Sequence, residues 1–289
     1  MSAAIRRLRW AVPYLFLLPG GLWLLVFFVV PMAVMASISL QTGSLGTGYT
    51  LSWNFGIYPE AISQFATQFL RSFEYGFIVT VLTLLIGYPM AYFLARRAGR
   101  YKTVFLALFL APFWISYMLR LLAWRSLLAD DGYVNRILMG VHLIGSPYPF
   151  LQGKPLTLIL GLVYGYVPYM ILPLYATLDR IPASLIEAGR DLGLSPARTF
   201  WRVTLPQSYQ AILAGLVICI LPMFGDYFTQ QLLADRASTR MVGNAIVDAL
   251  TQPIFVQRGA ALILVMLVLL IPPILYYLRS TRRATELVR

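Results

Sequence analysis

The residues with the most specific chemistry in this sequence are an acidic side chain and its aromatic neighbours. Asp226 lies in the stretch PMFGDYFTQQ, with Phe224, Tyr227 and Phe228 close to it in the chain. A carboxylate beside aromatic rings attracts an ammonium group, both by ion pairing and by the attraction of a cation to a ring face. The pattern therefore predicts a site for an organic cation.

A polar stretch between two long apolar runs, EAGRDLGLSPARTFWRVTLPQS, contains the start and stop signals of two short helices. Pro182 fits the first turn of a helix, where its missing N–H costs nothing, and Ala183 to Leu192 continue that helix. Gly193 suits the left-handed residue that ends a helix. The sequence therefore predicts a first helix that ends in a tight turn.

A second helix is predicted to follow at once. Ser195 is placed as its N-cap and Pro196 as its first residue, and the helix runs until Pro206 breaks it. One stripe of the first helix carries two very small side chains, which suits insertion into a partner's groove; it consists of Leu185, Ala188, Gly189 and Leu192. The alternatives are a linker hairpin at the membrane surface and, disfavoured because both ends join apolar runs, a DNA-reading helix-turn-helix.

The elements that must position these residues are membrane helices. The chain has 289 residues, of which 59% are hydrophobic and only 12% charged, too apolar for one soluble core. The apolar runs are continuous, which predicts helices and not a barrel. Most of them approach the roughly 20 residues that a crossing needs. Six spans are predicted, at residues 13–39, 75–95, 103–119, 155–178, 203–225 and 259–278.

The basic residues predict the orientation of these spans. Of the 23 Lys and Arg residues, 15 fall in the N-terminal arm, the two loops 96–102 and 180–202, and the tail from residue 279. By the positive-inside rule these parts are cytoplasmic, which also explains the net charge of +12 without a nucleic acid. The first apolar run is longer than the core of a signal peptide, so we predict an uncleaved span. Asp226 then lies in the outer half of the fifth span, where an ionisable group by default marks function.

The sequence lacks the usual constellations of an enzyme. It has one cysteine and one histidine, and therefore no disulfide framework and no ligand spacing for a metal. No HExxH, GxSxG or phosphate-binding loop ending in GK[ST] occurs. We therefore expect no enzymatic activity in this chain, and any ATP that drives it is bound by another subunit.

The polar loop resembles the signature of the inner-membrane permeases of binding-protein-dependent ABC importers. That signature is Glu-Ala-Ala, three residues, Gly, nine residues, Ile, one residue, Leu-Pro. Every spacing is kept here, with Gly189 in place of the second Ala and Val203 in place of Ile. The resemblance implies an all-α membrane protein of MetI-like fold, with six transmembrane helices and cytoplasmic coupling helices. It assigns coupling to the ATPase to Glu187, Ala188, Gly189, Gly193, Leu205 and Pro206.

Four further segments look like the spermidine/putrescine class of these permeases: IGYPMAYFLAR, APFWISYMLRLLAW, GLVYGYVPYMILPLYATLDRIP and LPMFGDYFTQQLL. This resemblance implies a polyamine substrate. We place Asp226, Trp114, Tyr117, Tyr166, Tyr169 and Tyr227 along the substrate path. The alternatives are that the aromatic residues only pack helices, and that Asp226 pairs with Arg120 or Arg125 or reaches the outer interface. Gly161 and Gly165 are read as a site of close helix packing.

The resemblance also implies an organisation and a set of partners. Residues 1–70 form an N-terminal arm, first span and outer loop, residues 71–280 a permease core with its coupling loop at 179–208, and residues 281–289 a tail. The expected partners are a dimer of ABC ATPase subunits, an extracytoplasmic substrate-binding protein and membrane lipid, but no nucleic acid. Because the chain has one coupling motif and no clear internal repeat, a second homologous permease is also expected. The chain itself holds no cofactor, since ATP and Mg²⁺ belong to the ATPase.

The predicted function is uptake of a polyamine across a bacterial inner membrane by alternating access, with both termini in the cytoplasm. Within the same class, the solute could instead be an opine, an amino acid or a thiosulfate-like anion, and a basic pocket built from Arg120 and Arg125 would favour the anion. An ion-coupled secondary transporter is a less favoured alternative, because no inverted repeats or intramembrane acid relays are seen.

Overall fold

The computed structural model describes residues 15–44 and 48–286, most of which are helical. The N-terminal arginines used for the orientation lie outside these residues. The elements are α1 (Leu15–Ser39), β1 (Gln41–Ser44), β2 (Gly48–Leu51), α2 (Ile57–Gln64), α3 (Ala66–Arg96), α4 (Gly99–Trp114), α5 (Tyr117–Leu128), α6 (Tyr133–Gly140), α7 (Pro155–Leu178), α8 (Ala183–Asp191), α9 (Pro196–Gln207), α10 (Tyr209–Phe224), α11 (Phe228–Leu233), α12 (Val242–Thr251) and α13 (Val256–Glu286).

The helices confirm an all-α membrane protein. In the described chain, α1, α3, α7 and the helical stretch Pro253–Arg282 are each long and apolar enough to cross a membrane. Two bent pairs bring the number to six when each pair counts as one span, in agreement with the six predicted. Large apolar side chains on these helices are uncovered, as for Phe16 on α1 at 81% exposure, which is the surface expected of helices that lie in hydrocarbon.

The third span is not the uninterrupted helix that was predicted at 103–119. The chain bends by 85° between Gly99–Trp114 and Tyr117–Gly140. A 3₁₀ turn at Ala111–Trp114, with Pro112 as its second residue, ends α4, and Ile115 and Ser116 are extended, with ψ of 142° and 137°. The extended pair stops the helical hydrogen bonds, so the span is broken where the sequence shows only an apolar run with one proline.

The outer loop after α1 contains a small hairpin that the sequence did not predict. β1 and β2 pair antiparallel, with Thr42 opposite Thr50. Gly43 has a φ of +124°, and a Cβ there would meet the carbonyl oxygen of Gly48 across the hairpin. The Gly-rich composition that indicated a loop therefore serves a close approach of two strands.

The chain divides into two compact units. The smaller comprises Met1–Gln64 and Ile246–Leu267, and within it the Arg258 guanidinium pairs with the Glu60 carboxylate at 3.0 Å. The larger comprises Phe65–Ala245 and Val268–Arg289. Its apolar core is formed mainly by α3, α7 and α10, with Met170 and Leu174 of α7 fully buried. Every candidate site residue lies in this larger unit, while the predicted division at residues 70 and 280 stays a prediction.

Candidate functional site

Asp226 lies in the short break between α10 and α11 and is only 7% exposed. Tyr117 Oη donates a hydrogen bond to its Oδ2 at 2.7 Å, and Tyr166 Oη donates to the same oxygen at 3.3 Å. Thr229 donates from its backbone N–H to Oδ1 at 3.0 Å and from Oγ1 to Oδ2 at 2.8 Å. These four hydrogen bonds all come from neutral donors, so the carboxylate is oriented without being neutralised by them.

The network joins two breaks in the membrane helices. Tyr117 is the first residue of α5, directly after the bend of the third span, and Asp226 follows the end of α10. Tyr166 reaches the same carboxylate from α7, the central helix of the unit. Broken helices at membrane depth are stable only where their free polar groups find partners, and irregular backbone in a membrane commonly lines a path. The arrangement can therefore hold a cation at the point where two interrupted segments meet.

The alternative in which Asp226 pairs with Arg120 or Arg125 is not seen, because the Asp226 carboxylate accepts from Tyr117, Tyr166 and Thr229 instead. Arg120 donates from Nε to the carbonyl oxygen of Ile115 at 3.2 Å. Its guanidinium carbon lies 4.6 Å from the ring centroid of Phe113, 5.4 Å from that of Tyr117 and 5.6 Å from that of Tyr164. Arg120 thus lies against the faces of three aromatic rings, one of which belongs to Tyr117, the tyrosine that donates to Asp226.

The remaining predicted path residues are less close to this network. The Tyr169 ring is 6.0 Å from the Tyr166 ring and its side chain is 48% exposed. Tyr227 stacks on Phe228 at 4.1 Å. Trp114, at the end of α4, is 82% exposed. The structure therefore brings Tyr117 and Tyr166 to Asp226, while the roles of Trp114, Tyr169 and Tyr227 in the path stay predictions.

Two glycines of α7 permit the close packing that builds the site. A Cβ at Gly165 would lie 2.8 Å from the Tyr117 ring, and one at Gly161 would lie 2.5 Å from Leu233 and 2.9 Å from Thr229. The ring of Tyr117, whose hydroxyl donates to Asp226, thus packs directly on the backbone of α7 at Gly165. This agrees with reading the pair as a close-packing site.

Sequence reasoning missed Thr229 in this site. Its hydroxyl and its N–H both bond the carboxylate, so it fixes the carboxylate's position at the start of α11. The signal was present, because an Asp with a polar residue three positions later is the spacing of a helix N-terminal cap.

The predicted coupling loop folds as two helices around a glycine turn. α8 spans Ala183–Asp191, with Pro182 one residue before its predicted place in the first turn. Gly193 has a φ of +80°, the Gly193 N–H bonds Arg190 O at 2.8 Å, and the Leu194 N–H bonds Gly189 O at 3.1 Å. These bonds form the Schellman motif that closes a helix with a left-handed residue.

The second helix begins where it was predicted to begin and ends one residue after Pro206. Ser195 Oγ accepts from the Arg198 N–H at 3.4 Å, and Pro196 is the first helical residue. Pro206 was expected to break the helix, and α9 ends one residue later at Gln207, where the chain bends by 63° into α10, so the predicted span 203–225 is not one straight helix. A π-helical turn at Phe200–Thr204 precedes the proline. The Leu205 N–H bonds Phe200 O, one residue further back than in an α-helix. The wider turn accommodates the missing N–H of Pro206.

The exposed face of α8 includes three of the four residues of the predicted stripe, all except Gly189. Leu185 and Ala188 are exposed, and Leu192 is 85% exposed. Gly189 is buried instead, because α9 lies against it. A Cβ added there would be 3.5 Å from Thr199 and 3.5 Å from Val203. Gly189 therefore belongs to the contact between the two loop helices, while Glu187 remains exposed beside the uncovered face.

The coupling loop is attached to the membrane core by residues that the sequence reasoning did not single out. Phe200 of α9 packs edge-on against Tyr88 and Tyr92 of α3, with ring centroids 5.5 and 5.9 Å apart. At the other end of the loop, Arg96 donates to the Ile181 carbonyl at 2.8 Å, and Lys102 pairs with Asp179 at 3.0 Å. Contacts at both ends of the loop therefore join it to α3 and α4.

Residues 87–285 match a family described as the binding-protein-dependent transport system inner membrane component. The chain belongs to this family. The matched residues include Asp226 and the whole predicted coupling loop. The inner membrane component is therefore a multi-pass membrane subunit of a transport system.

Two relatives of this inner membrane component have assigned roles. The spermidine/putrescine transport system permease protein PotB of Haemophilus influenzae is 31% identical over 225 residues, 78% of each chain. The inner membrane ABC transporter permease protein YdcU of Escherichia coli is 33% identical over 175 residues, 57% of this chain and 56% of that one.

Solved structures show the same fold. A bacterial ABC transporter involved in the import of the acidic polysaccharide alginate aligns with a TM-score of 0.72 at 19% identity, over 98% of this chain and 99% of that one. The methionine ABC transporter MetNI aligns with a TM-score of 0.55 at 17% identity, over 75% of this chain and 94% of that one. The predicted MetI-like fold is thereby confirmed for the inner membrane component.

A cavity of about 450 Å³ lies elsewhere in the larger unit, between α3, α10 and α13. Its wall is almost wholly apolar, including Phe77, Leu84, Leu213 and Ile220, and does not include Asp226. An apolar cavity suits hydrocarbon and not a charged solute. Among residues 15–44 and 48–286, no group of three or more His, Cys, Asp or Glu side chains is placed to hold a metal ion.

We predict opposite effects for the same substitution at two glycines of the coupling loop. Gly189→Ala places its Cβ in ordinary contact and removes a helix-interior glycine, so stability should rise by up to about 1 kcal/mol. Gly193→Ala forces a Cβ into the left-handed region and should destabilise by roughly 1 to 2 kcal/mol. The thermal midpoint of the purified subunit checks both. A lower midpoint for Gly189→Ala than for Gly193→Ala would contradict the assignment of the turn.

Proposed function

We propose that this chain is a permease subunit of an ATP-driven importer of polyamines such as spermidine and putrescine. The observation that carries the proposal is the buried Asp226 carboxylate, whose hydrogen bonds all come from neutral hydroxyl and backbone donors. Such a carboxylate retains the capacity to pair with an ammonium ion. The PotB relatives, named for spermidine and putrescine transport, support the same substrate class.

Transport proceeds by alternating access in this proposal. ATP binding closes a pair of ATPase subunits, α8 follows the ATPase to which it is docked, and the contacts of Phe200, Arg96 and Lys102 pass the movement to α3 and α4. The bend after α4 adjoins Tyr117, so the movement reaches the Asp226 network through a short path. The carboxylate is thereby offered to one side of the membrane and then to the other.

The proposed partners follow from this mechanism. Two ATPase subunits bind ATP and Mg²⁺ and perform the hydrolysis, so this chain catalyses no reaction and holds no cofactor. A second homologous permease supplies the other half of the path, and an extracytoplasmic binding protein delivers the substrate. The positive-inside rule supports cytoplasmic termini and a cytoplasmic coupling loop in the bacterial inner membrane.

Uptake in intact cells tests the function. Cells that carry the full transport operon should accumulate radiolabelled spermidine and putrescine, and cells lacking this permease should not. Excess unlabelled polyamine should compete for uptake, while thiosulfate, an opine or a neutral amino acid should not. If one of these other solutes is transported and polyamines are not, the substrate assignment is wrong and the family membership is unaffected.

A further inference from the structure

Arg120 occupies an aromatic cage next to the Asp226 network. The rings of Phe113, Tyr117 and Tyr164 all lie within 5.6 Å of its guanidinium carbon. Its Nε bonds the Ile115 carbonyl, and its Nη1 is buried without a hydrogen-bond partner among the described residues. The guanidinium is therefore held by ring faces and one carbonyl oxygen, all of them uncharged.

A cage of ring faces is a receptor for cations in general. Ammonium and guanidinium groups are both attracted to the negative face of an aromatic ring, and the attraction grows when water is excluded. The rings support one another, since the Phe113 and Tyr164 centroids are 5.5 Å apart and Trp124 packs edge-on against Tyr164 at 5.4 Å. The cage would thus keep its walls if a different cation entered it.

The cage and the carboxylate share one side chain. The Tyr117 ring faces Arg120, while the Tyr117 hydroxyl donates to Asp226 at 2.7 Å. Two features that bind cations therefore lie on either side of a single tyrosine. A polyamine carries ammonium groups separated by a few methylenes, so a single molecule can present one ammonium to the carboxylate and the next to the cage.

We propose that Arg120 is an internal competitor for this cage, and that a substrate ammonium replaces its guanidinium when a polyamine binds at Asp226. This inference rests on the proposed function and deepens it by placing a second ammonium subsite. The unpartnered Nη1 makes the release of Arg120 less costly, because little polar bonding is lost when the guanidinium leaves. Arg120 thereby sets the affinity for the substrate without touching it.

Equilibrium binding to the assembled transporter tests the inference. The complex of both permeases and the ATPases is reconstituted in nanodiscs, and the dissociation constant for radiolabelled spermidine is measured. Arg120→Gln should lower that constant about three- to ten-fold, because the cage becomes free for the ammonium. Methylguanidinium should compete with spermidine in the Arg120→Gln complex and much less in the wild type, where the cage is filled.

Three further variants exclude a merely structural effect. Arg120→Lys keeps a cation in the cage and should bind spermidine close to the wild-type constant. Arg125→Gln removes an exposed arginine from the same helix and should change nothing. Arg120→Met, which keeps an unbranched stem, replaces Arg120→Gln if the latter does not assemble. If the wild type binds spermidine and Arg120→Gln (or Arg120→Met) binds it no more tightly, the inference about Arg120 is wrong while the proposed function stands. A wild-type complex that neither binds nor imports polyamines overturns the proposed function as well.

Discussion

Asp226→Asn is expected to reduce polyamine uptake by about 10- to 100-fold, since a charge-assisted contact to the substrate ammonium is worth roughly 1.5 to 3 kcal/mol. The side chains have the same shape, and the hydroxyls of Tyr117 and Thr229 can rotate to suit an amide, so the fold should persist. The complex should keep its basal ATP hydrolysis and lose the stimulation that the loaded binding protein produces. Uptake of radiolabelled spermidine and ATPase assays on the same membranes provide the measurement.

Two matched variants separate charge from structure in this prediction. Asp235→Asn removes an exposed carboxylate nine residues along the chain and should transport normally. Tyr117→Phe removes a hydrogen bond to Asp226 but keeps both the ring and the charge, so uptake should fall far less than in Asp226→Asn. If Asp226→Asn transports at the wild-type rate, the carboxylate only caps α11 and the cation site lies elsewhere.

The sequence predicted the parts of the structure that depend on local rules. Six spans follow from hydropathy and length, because each apolar run must cross the hydrocarbon by itself. The turn at Gly193 and the cap at Ser195 follow from backbone requirements that few other residues meet. These features needed no knowledge of what packs against them.

The rest depended on packing between distant segments. Asp226 could have met Arg120 or the tyrosines, and the choice is made by the bend at Ile115, which turns Tyr117 towards the carboxylate. Gly189 lay on the predicted stripe, but α9 covers it because the Gly193 turn brings Thr199 and Val203 against it. Pro206 required some change in the helix, yet only the structure shows that a π-helical turn absorbs it.

Leu192→Glu should uncouple the transporter by weakening the attachment of the ATPase. Leu192 directly follows α8 as its C-cap and is 85% exposed, so its apolar surface has almost no cover within the part of the chain that the structure describes. Burying a leucine against a partner stabilises the complex by about 1.5 to 3 kcal/mol. Leu192→Glu loses this contribution, and burying an unpaired carboxylate in the same place destabilises the complex further. The amount of ATPase that co-purifies with the permease should therefore fall by about two orders of magnitude at limiting concentration, and spermidine uptake should disappear with it.

The same substitution at another exposed leucine isolates the effect of position. Leu143 is 71% exposed in the loop after α6, on the face opposite to the coupling loop in the proposed orientation, and Leu143→Glu should leave the ATPase attached. Leu192→Met conserves volume and apolar character and should retain both attachment and uptake. Since Leu192 is nearly uncovered, none of these changes should lower the thermal midpoint of the permease by more than a surface substitution does. If the ATPase remains fully attached to the Leu192→Glu permease, the uncovered face of α8 is not where the two subunits meet. The exposed Glu187 beside that face would then be the remaining candidate for the contact.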